Sequence, residues 1–153
     1  MRHGPIESYV VDASVAAKWH LTDEEHTEQA RSLLPRFAQG QLELWAPEQI
    51  RYEVPSAITA ATLGRRPRIT QEQGREAIEE FLSLVSLGLQ TVASEELILG
   101  AYPLVHRHGC AYYDALYLAL ARSLDIPLLT ADGKFYQRFR DLPKVVWIGD
   151  LQP

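Results

Sequence analysis

The stretch Tyr9-Val10-Val11-Asp12-Ala13-Ser14-Val15-Ala16-Ala17-Lys18-Trp19 decides how this chain is read. Tyr9 to Val11 is a short apolar run rich in β-branched residues, which predicts a buried strand. The run stops at Asp12, and Ser14 opens a helical stretch from Val15 to Leu21 that carries Trp19. Working outward, the same alternation recurs. Leu42 to Ala46 alternates and ends at Pro47, which predicts a second strand. Leu89 to Val92, Ile126 to Thr130 and Val145 to Ile148 predict three more.

Helices are expected between these strands. Thr22 or Asp23 looks like an N-cap, with Glu24 and Glu25 in the first turn of a helix reaching Ala38. A helix over 48–63 contains Pro55, which either bends it or marks its start. Thr70 caps a helix over 72–85, and Ser94 starts another that runs to His108 despite Pro103, where Gly109 breaks it. Ala111 to Ser123 is apolar almost all round, so it should be a buried helix. Asp132 starts a short helix through Phe139. Strands alternating with helices predict an α/β domain with a mainly parallel central sheet and helices on both faces. A chain of 153 residues without repeats or a linker suits one domain.

Composition narrows the function classes. Hydrophobic residues make up 46% and charged residues 23%, as in an ordinary globular protein. No stretch approaches the run of about 20 apolar residues that crosses a membrane. Met1 to Ser8 reads as an N-terminal extension with no apolar signal core, so the cytoplasm is the expected location. The one cysteine, Cys110, cannot form an internal disulfide. Its neighbours Gly109 and Ala111 offer no base, so a small buried side chain is expected rather than a nucleophile. Net charge is −5, from 20 acidic and 15 basic side chains. That is not the basic balance of a typical nucleic-acid binder, although acids gathered around divalent cations would reverse the local field.

Sites in open α/β sheets form at the carboxyl ends of strands. Asp12 closes the first strand and Asp132 follows the fourth. Asp114 lies near the start of the buried helix, and Glu53 lies early in the helix after the second strand. Singly, each has a plainer reading. Asp12 and Asp132 suit helix N-caps, Asp114 suits the positive end of its helix, and Glu53 suits a solvated helix face. Together they pose a problem, because two carboxylates about 4 Å apart repel by on the order of 4 kcal/mol at an effective dielectric near 20. Such a cluster needs protonation, a basic partner or a cation, and oxygen ligands suit Mg²⁺ or Mn²⁺. Other chemistries fit poorly. His106 and His108 are two apart on a helix and suit a surface terminus rather than zinc. There is no phosphate-binding glycine loop, and Ser14 lacks the Gly-x-Ser-x-Gly elbow.

Val11 to Trp19 resembles the opening motif of PIN-domain toxins of the VapC family. Tyr113-Asp114-Ala115-Leu116-Tyr117-Leu118-Ala119-Leu120-Ala121 is similar to the family's second hallmark, and Leu128 to Phe135 to its third. Glu53-Val54 with Ser56-Ala57-Ile58 matches the weaker glutamate helix motif. The likeness runs from Tyr9 to Ile148 with the motifs in family order. It implies a PIN-like three-layer α/β/α sandwich and Mg²⁺- or Mn²⁺-dependent endonucleolytic cleavage of RNA by a metal-activated water. Carried over, Asp12 and Asp114 would be the firmest catalytic metal ligands, Glu53 and Asp132 would complete the set, and Ser14 and Thr130 would support it through their hydroxyls.

The resemblance also implies a cognate antitoxin that blocks the site, and a homodimer. The basic segment Arg65, Arg66 and Arg68 suits contact with RNA phosphates and equally suits a solvated turn. Two features depart from the family pattern: the extension before the first strand, and Pro55 close behind Glu53. A metal-dependent nuclease or phosphatase outside a toxin system, and a non-catalytic PIN-like interaction module, stay open beside the toxin reading.

Overall fold

A computed structural model describes residues 5–153 of the chain. Its sheet consists of β1 (Glu7–Val11), β2 (Leu42–Pro47), β3 (Gln90–Val92), β4 (Leu128–Thr130) and β5 (Val145–Trp147). The strand order is β3-β2-β1-β4-β5, and every pairing is parallel. Central parallel strands are covered on both faces and read as unbroken apolar runs. Val10, Val11, Leu128 and Leu129 fit that rule and have no exposed surface.

The first strand begins earlier than its apolar run suggests. Glu7 pairs with Leu42 and Ser8 with Glu43, so both belong to β1 and not to an extension. Of the expected extension, residues 1–4 lie outside the described residues.

Seven helices join the strands among the described residues: α1 (Ala13–Ala17), α2 (Thr27–Ala38), α3 (Ile50–Ala61), α4 (Gln71–Leu87), α5 (Glu95–His108), α6 (Tyr112–Leu124) and α7 (Gly133–Phe139). The start expected for the second helix is corrected: α2 begins at Thr27, after His26 in a left-handed conformation. The acids read as its cap and first turn have ionic partners instead. Arg68 binds Asp23 and Glu24, and Lys18 binds Glu24. Pro55 lies inside α3 and does not mark its start. Thr70 opens α4 with a reciprocal capping box to Gln73, and Ser94 caps α5 through the Leu97 N–H.

Connectivity places the layers. The chain steps outward from β1 to β2 to β3, then returns across β1 to β4 and β5. Right-handed crossovers put α1 to α4 on one face and α5 to α7 on the other. Packing agrees: α3 lies against α1 and α4, whereas α6 lies across β1, β2 and β4 and carries α5. The α6 residues Ala115 to Ala121 are all buried. The direction of winding reverses between β1 and β4, so a crevice opens at their carboxyl ends. Gly109 ends α5 at φ +61°, a conformation that a residue with a Cβ disfavours, and the chain then turns into α6. Among the described residues no helix is long and apolar enough to cross a membrane.

Candidate active site at the carboxyl end of the sheet

Asp12 lies at the mouth of this crevice with only 6% of its surface exposed. It is the N-cap of α1, since its Oδ1 accepts a hydrogen bond from the Val15 N–H at 3.2 Å. The plainer reading of Asp12 is therefore met, but the carboxylate does more. The Ser14 hydroxyl donates to Oδ1 and the Thr130 hydroxyl donates to Oδ2. Each hydroxyl also accepts from a backbone N–H just after β4. Ala131 N–H donates to Ser14 Oγ at 2.9 Å, and Asp132 N–H donates to Thr130 Oγ1 at 3.1 Å. One buried carboxylate thus ties the ends of β1 and β4 together.

Burial pushes the Asp12 carboxyl up to about 6. The hydrogen bonds from Ser14, Thr130 and Val15 oppose that shift, and the charge of Asp132 adds to it. Glu53, half-buried early in α3, is also raised. Burial is the main cause, hydrogen bonds from Gln49 and Tyr117 oppose it, and the charges of Asp12 and Asp114 add to it. Asp114, half-buried in the first turn of α6, is raised by burial and by Asp132, with Arg138 opposing. Asp132 is exposed and caps α7, its Oδ1 accepting from Lys134 N–H at 2.9 Å and Phe135 N–H at 3.2 Å. The four acids named from the sequence therefore share one electrostatic neighbourhood.

Among the described residues none of the four is ion-paired with a Lys or Arg. The donor set fits a hard divalent cation by its chemistry: oxygen only, mutually repelling, and short of positive partners. Its geometry is more open. Among the described residues no three acidic, histidine or cysteine side chains are grouped tightly enough to enclose an ion. The carboxylates stand within electrostatic reach of one another without converging on a point.

The basic segment is divided. The Arg68 guanidinium reaches Asp23 at 2.8 and 2.6 Å and Glu24 at 2.9 Å, so its charge is already balanced. Arg65 and Arg66 are exposed in the turn between α3 and α4. Cys110 is buried, with its Sγ 3.9 Å from the Leu104 carbonyl, and burial raises its thiol. His106 and His108 lie in the last turn of α5.

Two residues belong to the site that sequence reasoning missed. The Tyr117 hydroxyl donates to Glu53 Oε1 at 3.3 Å, linking α6 to α3. Gln49 sits one turn before Glu53, and its amide donates to the Tyr113 carbonyl at 2.9 Å. Helical spacing held a signal for both, since Tyr117 follows Asp114 by three positions and Gln49 precedes Glu53 by four.

Comparisons with known proteins agree with this fold. Residues 9–139 match the family described as PIN domain. Ribonuclease VapC1 of Mycobacterium tuberculosis is 38% identical over 89 residues, which covers 58% of this chain and 62% of that protein. The match thus spans less than two thirds of that relative's length. Ribonuclease VapC3 of Pyrobaculum aerophilum is 31% identical over 130 residues, covering 85% of this chain and 93% of that protein. A toxin–antitoxin complex from Klebsiella pneumoniae contains a chain of the same fold, with a TM-score of 0.60, 14% identity, and 90% and 95% of the two chains covered. This chain belongs to the PIN-domain family and, within it, to the VapC ribonucleases.

The raised carboxyls fix the sign of a pH dependence. Asp12, Glu53 and Asp114 hold protons in the folded chain at a pH where the unfolded chain has released them. Their contribution to stability is full below about pH 4, the unfolded range, and is lost as pH rises through the folded value, about 6 for Asp12. Asp12→Asn removes one such group. Its stability relative to wild type, read by urea unfolding without divalent ions, should rise between pH 4 and 6.5 by on the order of 2 kcal/mol. A difference that stays flat with pH would contradict the burial of this charge.

Proposed function

We propose that this chain is the toxin of a toxin–antitoxin pair and hydrolyses phosphodiester bonds within RNA, with Mg²⁺ or Mn²⁺ held by Asp12, Asp114, Glu53 and Asp132. The observation that carries the reading is that four acids from distant parts of the chain, none ion-paired with Lys or Arg among the described residues, lie within electrostatic reach of one another near the ends of β1 and β4. The names of its VapC relatives support an RNA substrate.

A bound divalent cation supplies positive charge that eases deprotonation of water and offsets charge on the phosphate. The chain's own groups prepare the place for it. Ser14 and Thr130 fix the Asp12 carboxylate, and Tyr117 steadies Glu53. Asp132 commits Oδ1 to capping α7, and its Oδ2 would serve the site. Arg65 and Arg66 offer exposed positive charge to the RNA backbone. The whole chain, 1–153, acts as one PIN domain in the cytoplasm and forms a homodimer. A basic side chain of an antitoxin, placed over the acids, would neutralise them and block the site. The complex formed by its Klebsiella neighbour supports that partner.

Purified protein with Mg²⁺ or Mn²⁺ should cleave single-stranded RNA, and a chelator should stop it. Asp114→Asn should lower cleavage by about 100-fold or more, beyond what loss of an outer-layer partner costs a metal site. Undiminished cleavage by the folded variant would sink the assignment. Replacing Arg65 and Arg66 together by Ala should flatten the slope of log affinity against log salt by about 1.4, the value for two single-strand phosphate contacts. An unchanged slope would remove them from the RNA interface.

A further inference from the structure

A cavity of about 910 Å³ opens beside the acids, with Ser14, Glu53 and Ala131 on its wall. Small side chains, Ala13, Ala17 and Ala57 among them, supply part of its apolar lining. Its lining includes Tyr52 and Tyr113, which are 75% and 64% exposed. Large aromatic rings left in water beside a reactive crevice need a reason, because each forgoes the gain from burial.

Their sequence positions give the reason. Tyr52 directly precedes Glu53, and Tyr113 directly precedes Asp114. Consecutive helix residues are turned about 100° from each other, so a helix that aims its acid into the crevice presents the preceding ring at the rim. The Gln49 amide, bonded to the Tyr113 carbonyl, joins the first turns of α3 and α6 and keeps the two tyrosines on one mouth. Tyr112 is anchored through its hydroxyl to the Ile98 carbonyl at 2.8 Å and meets the Tyr113 ring edge-on at 6.2 Å.

We infer that this cavity takes an unstacked nucleobase of single-stranded RNA against the rings of Tyr52 and Tyr113, beside the phosphate to be cleaved; the inference rests on the ribonuclease reading above. Charge favours a base over a phosphate here. The cations on the wall, Lys18 and Arg68, are bound to Glu24, and Arg68 also to Asp23. What remains, Glu53 apart, is an uncharged lining in which Gln49 and Ser56 can bond a base edge. Aromatic stacking recognises bases released from a helix, whereas paired bases in a duplex cannot enter such a cavity.

The test uses the full chain, Tyr52→Ala and Tyr113→Ala, the matching Phe variants, and a short RNA carrying 2-aminopurine. In chelator, where cleavage is silent, wild type should quench the 2-aminopurine of the single strand, and the Ala variants should weaken that binding about ten-fold each. With Mg²⁺, KM should rise by a similar factor with kcat little changed, because stacking serves bound substrate and transition state alike. The Phe variants should keep wild-type values, and duplex RNA of the same sequence should be cleaved at least about ten-fold more slowly. Absent quenching, or Ala variants that bind as wild type does, overturns the inference; the latter is also the outcome if the cavity seats a protein partner. A wild type that quenches but never cleaves RNA would instead defeat the ribonuclease reading and leave the base site standing.

Discussion

The Asp12 carboxylate is the constraint on which the structure turns. It is almost shut off from water, and an ionised group there carries a large desolvation penalty unless hydrogen bonds replace the lost solvent. Two hydroxyls and a backbone N–H do so. Because one hydroxyl comes from α1 and the other from β4, the same bonds that keep the acid tolerable also hold the ends of the two central strands in register. The strand ends, the start of α1 and the approach to α7 are thereby set around one charge. A change at Ser14 or Thr130 would act on the site's electrostatics and its geometry together.

Charge is distributed as this constraint demands. Several acids outside the set of four have cations: Arg36 with Glu7, Arg68 with Asp23 and Glu24, Lys144 with Asp125. Within the crevice, burial first, and the neighbouring carboxylates second, make Asp12, Glu53 and Asp114 hold protons more tightly than free carboxyls do. A fold selected for stability alone would supply a lysine or arginine there. Leaving the acids unmatched costs stability, and a bound cation would return it by mass action. A cation bound there would also offset part of the chain's negative charge.

Much of this was legible in the sequence where one cause dominates. Val10-Val11 and Leu128-Leu129 read as strands and are buried, and the apolar run of α6 read as a buried helix and is one. Asp12 and Asp132 were legible as residues that follow strand ends, and the pairing of β1 with β4 is what brings them to one crevice. The start of α2 was not legible, because Asp23 and Glu24 satisfy a capping pattern equally well when they serve as partners of a distant Arg68. Glu7 and Ser8 carry no apolar signal and are strand residues only because β2 lies alongside them. Tyr117 read as core, and its hydroxyl's bond to Glu53 depends on how two helices cross. The spacing between carboxylates, on which ion binding depends, is likewise a property of packing, and no periodicity encodes it.

The central claim is that these acids hold a divalent cation, and Mn²⁺ binding followed by electron paramagnetic resonance tests it without reference to any substrate. Wild type should remove the signal of free Mn²⁺. Thr130→Val, which leaves every carboxylate in place but frees Asp12 Oδ2, should weaken binding about ten-fold or more. Asp12→Asn should weaken it further. A folded wild-type protein that leaves millimolar Mn²⁺ free, or an Asp12→Asn protein that binds the ion as tightly as wild type, would contradict the account.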